Sequence, residues 1–155
     1  MKVLLAALVA ITTTSIARAD GFDCHTTTQD LNVKIYNYVD PSEGTRSASF
    51  MVLSDPSVGY GRKTIASFSD LKDTLSQEGS AFFADVDLRV SESNRSGENV
   101  GGTKLGHLKH VAVVVSHSYS NPVAEGTYLP GAIHFYKRNG EVSSQGLVCV
   151  RYLKH

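Results

Sequence analysis

The chain of 155 residues has no tryptophan, two cysteines and four prolines. Its longest apolar run is far shorter than the ~20 residues a membrane-spanning helix needs. It has no excess of either charge, with 15 Lys+Arg against 15 Asp+Glu. Setting aside Lys2 and Arg18 near the start leaves 13 basic and 15 acidic side chains, a net charge of −2. A near-neutral chain lacks the clustered Lys/Arg that displace counterions from nucleic acid. It also lacks the basic face that anionic membranes attract. The length suits one domain and not two. The sequence also contains no H-E-x-x-H, C-x-x-C, G-x-S-x-G or G-x-x-x-x-G-K-[ST] motif, so zinc peptidase, dithiol redox, α/β-hydrolase and P-loop chemistry are without support. No cofactor is expected.

What is present begins with an export pattern. Lys2 precedes an apolar run, Val3 to Ile11, followed by Thr12-Thr13-Thr14-Ser15 and then Ala17-Arg18-Ala19. This is the basic, apolar and small-residue order of a secretory signal peptide. As a helix the run would span only about 14 Å, too short for a bilayer. Residues 1–19 therefore read as a signal, with cleavage between Ala19 and Asp20. Residues 20–155 then form a single β-rich domain in a periplasmic or extracellular compartment, without a membrane span.

Export gives the cysteines a meaning. Cys24 and Cys149 allow one intramolecular pairing, in a compartment where disulfides persist. Their bridge would tie the start of the exported chain to its last strand.

From residue 31 onward the hydrophobic period is two. Leu31, Val33, Ile35 and Val39 alternate with Asn32, Lys34, Tyr36 and Tyr38. Further strands are expected over 47–53, 63–69, 82–90, 105–119, 131–137 and 147–153, with another beginning at Glu141. Residues 70–78 fit either a helical turn or a strand, and the strand is preferred. Residues 91–102 read as a polar loop, and Asn139-Gly140 as a hairpin turn. Seven or eight strands without a sustained helical period predict an antiparallel β-sandwich, with a closed or partly closed barrel as the alternative.

Candidate sites are sparse. His110 and His117 differ by an odd number and point to opposite faces of a regular strand. His107 and His117 share a face but lie ~33 Å apart when extended. His25, His134 and His155 are scattered, so no metal site is expected. In Ser116-His117-Ser118, neighbouring side chains diverge. Gly59 to Thr64 has the wrong spacing for a phosphate loop. Asp85 and Asp87 share a strand face ~7 Å apart, a spacing compatible with calcium binding or acid/base chemistry, but alternation already explains them as the solvated face of an amphipathic strand, which is the preferred reading. Asn94-Arg95-Ser96 is a glycosylation sequon. Tyr36 and Tyr38 should face outward, opposite Val33 and Ile35, and form a tentative binding strip.

With no catalytic motif, the expected function is a binding or structural module of the protein-binding or inhibitor-like kind. A small-ligand or glycan binder is the alternative, and a hydrolase using Asp85/Asp87 ranks behind both. The expected working surface is the loops 91–102 and 120–127.

Overall fold

The computed structural model describes residues 18–40, 45–56, 63–69, 71–75, 79–89, 97–116 and 123–154. Its strands are β1 (Arg18–Thr26), β2 (Asn32–Asp40), β3 (Thr45–Asp55), β4 (Lys63–Ser69), β5 (Lys72–Leu75), β6 (Ser80–Asp85), β7 (Asn99–Val100), β8 (Thr103–Lys104), β9 (Leu108–Val115), β10 (Tyr128–Lys137) and β11 (Val142–Lys154). Nine of them make one antiparallel sheet in the order β4-β3-β2-β1-β11-β10-β9-β6-β5, and β7 and β8 pair separately.

The alternation seen in the sequence sets the faces. Phe22 and Cys24 of β1, Val33 and Ile35 of β2, Met51 and Leu53 of β3, Phe82 and Ala84 of β6, Val111, Val113 and Val115 of β9, Ile133 and Phe135 of β10, and Leu147 and Cys149 of β11 are all buried in one cluster. Full burial of each large apolar side chain is worth roughly 1.5–3 kcal/mol. The sheet must curl to build that cluster. Three strands separate β1 from β6 in the sheet order, a gap of ~19 Å if the sheet were flat. Yet the rings of Phe22 and Phe82 meet edge to face with centroids 6.1 Å apart. Strand β4 also approaches β6 directly. The expected all-β antiparallel class is therefore present, in a nearly barrel-shaped form.

The first and last strands lie side by side in the middle of the sheet. Cys24 pairs directly with Cys149 in the β1–β11 register, and the two form a disulfide across 125 residues. The bridge pins the register of a pairing that sequence-local turns cannot set.

Several boundaries depart from expectation. Strand β1 was not foreseen as an element, although Phe22, Cys24 and Thr26 alternate inward. The strand expected over 82–90 stops at Asp85. There the Asp87 carboxylate accepts the Arg89 backbone N–H at 2.8 Å, and the Arg138 guanidinium takes up the Val86 carbonyl at 3.0 Å. Both contacts turn the chain out of the ladder. Leu105–His107 is a 3₁₀ turn, and β9 starts only at Leu108. The strand expected from Glu141 and that over 147–153 are one continuous strand, β11. The polar loop of 91–102 ends in the β7–β8 hairpin, whose turn residues Gly101 and Gly102 have φ of 54° and 78°. A two-residue turn with both φ positive favours glycine. The Asn139-Gly140 hairpin forms as expected, with Gly140 at φ 92°. In the ambiguous segment, residues 72–75 are strand. Residues 70 and 76–78 lie outside the described residues, as do His117, Ser118, residues 59–62, the 94–96 sequon and 120–122 of the expected 120–127 loop.

Candidate functional site

The β7–β8 hairpin and the following 3₁₀ turn cover one end of the curled sheet. Val100, Leu105 and Leu108 are buried. Gly101 lies against the Phe135 ring so closely that a Cβ there would stand 2.5 Å from it. The hairpin is thus seated on the core by its apolar side and turns its polar side outward. That polar side faces the β10–β11 turn across a pocket of about 540 Å³, lined by Asn99, Gly102, Thr103, Lys104, Gly106, His107, Lys137, Arg138, Asn139 and Glu141. This volume falls in the ordinary range of small-molecule sites.

The charge balance of the pocket is distinctive. Lys104, Lys137 and Arg138 are permanent cations, and Glu141 is the one carboxylate among the lining residues. Lys137 Nζ lies 3.0 Å from Glu141 Oε2. Lys137, aided by Asn139, holds the Glu141 carboxyl below its ordinary value. Arg138 is braced as well. Its Nη2 donates to the Val86 carbonyl at 3.0 Å, its Nε to the Gly106 carbonyl at 3.3 Å, and its backbone N–H to the His107 carbonyl at 2.9 Å. Carbonyl partners orient a guanidinium without neutralising it. Lys104 has no ion-pair partner among the described residues, and it is exposed. The pocket therefore presents cationic donors on a rigid hairpin frame and can satisfy an anion.

The other sequence candidates are placed as follows. Asp85 and Asp87 have separate partners. Asp85 binds Lys72 at 3.1 Å and His110 Nδ1 at 2.5 Å, whereas Asp87 pairs with Arg89 at 3.5 Å. Lys72, then His110, lowers the Asp85 pKa. Among the described residues, no group of three or more His, Cys, Asp or Glu side chains could hold a metal ion.

Tyr36 lies on the outer face, opposite buried Val33 and Ile35, and is half-buried. It meets Tyr152 edge to face at 5.9 Å. Gly21 sits between the two tyrosines in the β2–β1–β11 register. Tyr152 reaches over that glycine to donate its hydroxyl to the Ile35 carbonyl at 2.9 Å. Lys34 Nζ stands 5.5 Å from the Tyr36 centroid and 5.2 Å from that of Tyr152, and its ion pair with Asp23 is 3.7 Å. Phe50, paired with Tyr36 across β2–β3, is exposed. The Tyr38 side chain lies outside the described residues.

The pocket escaped sequence reasoning because its walls are some 35 residues apart in the chain. Only the polarity of Asn99 to Lys104 and the Asn139-Gly140 turn hinted at two facing polar hairpin tips. No protein-family model, curated protein or solved structure matches this chain.

Proposed function

We propose that the protein is an exported, non-enzymatic binding module that holds a small anionic ligand, such as an acidic sugar or another carboxylate-bearing molecule, in the pocket beneath the β7–β8 hairpin. The observation that carries this reading is the lining itself: three permanent cations, one carboxylate, and Lys104 without a counter-ion among the described residues. The ligand recognised carries one or more carboxylates or similar oxyanions with hydroxyl groups near them. Asn99, Thr103 and Asn139 supply neutral polar atoms beside the cations. Export is supported by the signal-like residues 1–19. The Cys24–Cys149 disulfide fits an oxidising compartment. A protein-binding role retains support from the aromatic group Tyr36, Tyr152 and Phe50 on the outer face. It ranks second because Tyr36 and Tyr152 already pack on each other and over Gly21.

Calorimetric titration with trigalacturonate, citrate and the neutral trisaccharide maltotriose tests the reading. Saturable heat is expected for at least one anion and none for maltotriose. Lys104→Ala should weaken the anion's affinity about tenfold, the loss of one charge-assisted contact. Equal binding of maltotriose, or an affinity unchanged by Lys104→Ala, would overturn it.

A further inference from the structure

The strand pairing brings together two histidines that lie 24 residues apart in sequence. His110 on β9 faces Tyr136 on β10, and His134 on β10 faces Ala112 on β9. The two histidines are thus diagonal neighbours on the outer face, with backbones ~7–8 Å apart. Their rings are held from opposite sides. His110 Nδ1 is 2.5 Å from Asp85 Oδ1 on β6. His134 Nδ1 is 2.7 Å from Ser144 Oγ on β11. In the sheet, β9 and β10 lie side by side between β6 and β11. The two nitrogens of an imidazole flank one carbon and point outward in divergent directions. Each Nδ1 is thus anchored to the strand on its far side, which leaves each Nε2 outside that contact.

Ala112 lies at the seam between β9 and β10. Its side chain belongs to the outward set of β9, alternating with buried Val111 and Val113, and it is absent from the core cluster. It is nevertheless only 1% exposed, so outer-face side chains lean over it. His110 is its neighbour along β9, and Phe83 and His134 are its partners across β6 and β10. The edge-on ring of Tyr136, 6.4 Å from His110, adds a wall.

We infer that His110 and His134 form a two-histidine site for a borderline divalent transition metal, bound through both Nε2 atoms with water completing the coordination. Metal-binding histidines characteristically give their second ring N–H to a carboxylate or other oxygen, which fixes the tautomer and the aim of the ligating nitrogen. Here Asp85 and Ser144 occupy that position for both rings. Imidazole donors suit copper(II), nickel(II) and zinc(II), and the general order of affinities makes copper(II) the tightest. The site is separate from the cationic pocket and shares none of its lining residues.

Copper(II) titration of the untagged chain, followed by calorimetry and electron paramagnetic resonance, tests this. One copper per chain is expected, with a spectrum showing two imidazole nitrogens. His110→Gln and His134→Gln should each weaken binding at least about tenfold and remove one nitrogen from the spectrum. Asp85→Asn, which leaves both ligands in place, should weaken it less, within the ~10-fold lower end of second-shell effects. In the absence of metal, circular dichroism should match the parent chain for all three variants. Sub-stoichiometric copper would overturn the inference. So would retention of the parent affinity in the His110→Gln/His134→Gln double variant, which would place the copper on other histidines.

Discussion

Thr26 is fully buried and its hydroxyl is shared by several partners. It donates to Asp30 Oδ1 at 2.6 Å and accepts the backbone N–H groups of Asp30 and Leu31, each at 3.1 Å. Thr28 donates to the same carboxylate oxygen at 2.6 Å. These bonds, Thr26 first and Thr28 second, hold the Asp30 pKa below its ordinary 3.8. Asp85 is shifted the same way by Lys72 and His110. A carboxyl whose pKa is lower in the folded chain contributes stability that is complete above its unfolded pKa and is lost as pH falls through the folded value. The melting temperature should therefore hold steady from pH 7 to 5 as far as these groups are concerned, and fall as pH drops below 3.8. Asp30→Ala should flatten that acid limb in a pH series of thermal melts; an unchanged limb would contradict the assignment. Asp85 is a weaker contributor, since an exposed ion pair screened by water is worth at most about 1 kcal/mol. Gly21 is the opposite kind of residue, defined by what it lacks. A Cβ there would collide with the Ile35 carbonyl oxygen and stand 2.6 Å from the Tyr152 hydroxyl. Gly21→Ala should cost roughly 1–3 kcal/mol in chemical denaturation, the usual penalty of overpacking.

At the scale of elements, the hairpin at residues 99–104 and the β1–β11 pair each make a distinct prediction. Gly101→Ala should destabilise the hairpin, because its φ is positive and the Phe135 ring occupies the Cβ position. Amide exchange over 99–108 should rise in that variant more than exchange in β9 to β11. Replacing Cys24 and Cys149 together by alanine should lower stability by about 2–5 kcal/mol, the range for removing a native bridge. Most of the long strands were readable from residues because their period of two is strong. Leu31 to Val39 gives β2, Ser47 to Leu53 gives the heart of β3, and the run Val111 to Val115 gives β9. Strand β1 was obscured because its outer face holds Gly21 and Asp23, weak strand formers, and because its partner is the chain's other end. The end of β6 was hidden since Val86, Leu88 and Val90 continue the alternation past the point where Asp87 and Arg138 divert the backbone. The Asn139-Gly140 turn, by contrast, is a local signal and was readable without tertiary knowledge.

At the scale of the whole molecule, a nine-stranded sheet curls until Phe22 meets Phe82, with the cationic pocket beside the β7–β8 hairpin and the two histidines on the outer face. What the sequence concealed here was pairing. Asp85 ends β6 and Asp87 lies just beyond it, with separate partners, and neither Lys104 beside Lys137 nor His110 beside His134 has any trace in sequence spacing. The central claim is that the rim pocket is a cationic site for a small anion. The most direct measurement is two-dimensional NMR of the isotopically labelled chain titrated with citrate at low ionic strength. The account predicts saturable shifts confined to the amides of Gly102, Thr103, Lys104, His107 and Arg138 to Glu141, weakening as salt is raised. Shifts centred instead on Tyr36 and Tyr152, or no saturable shift at all, would contradict it.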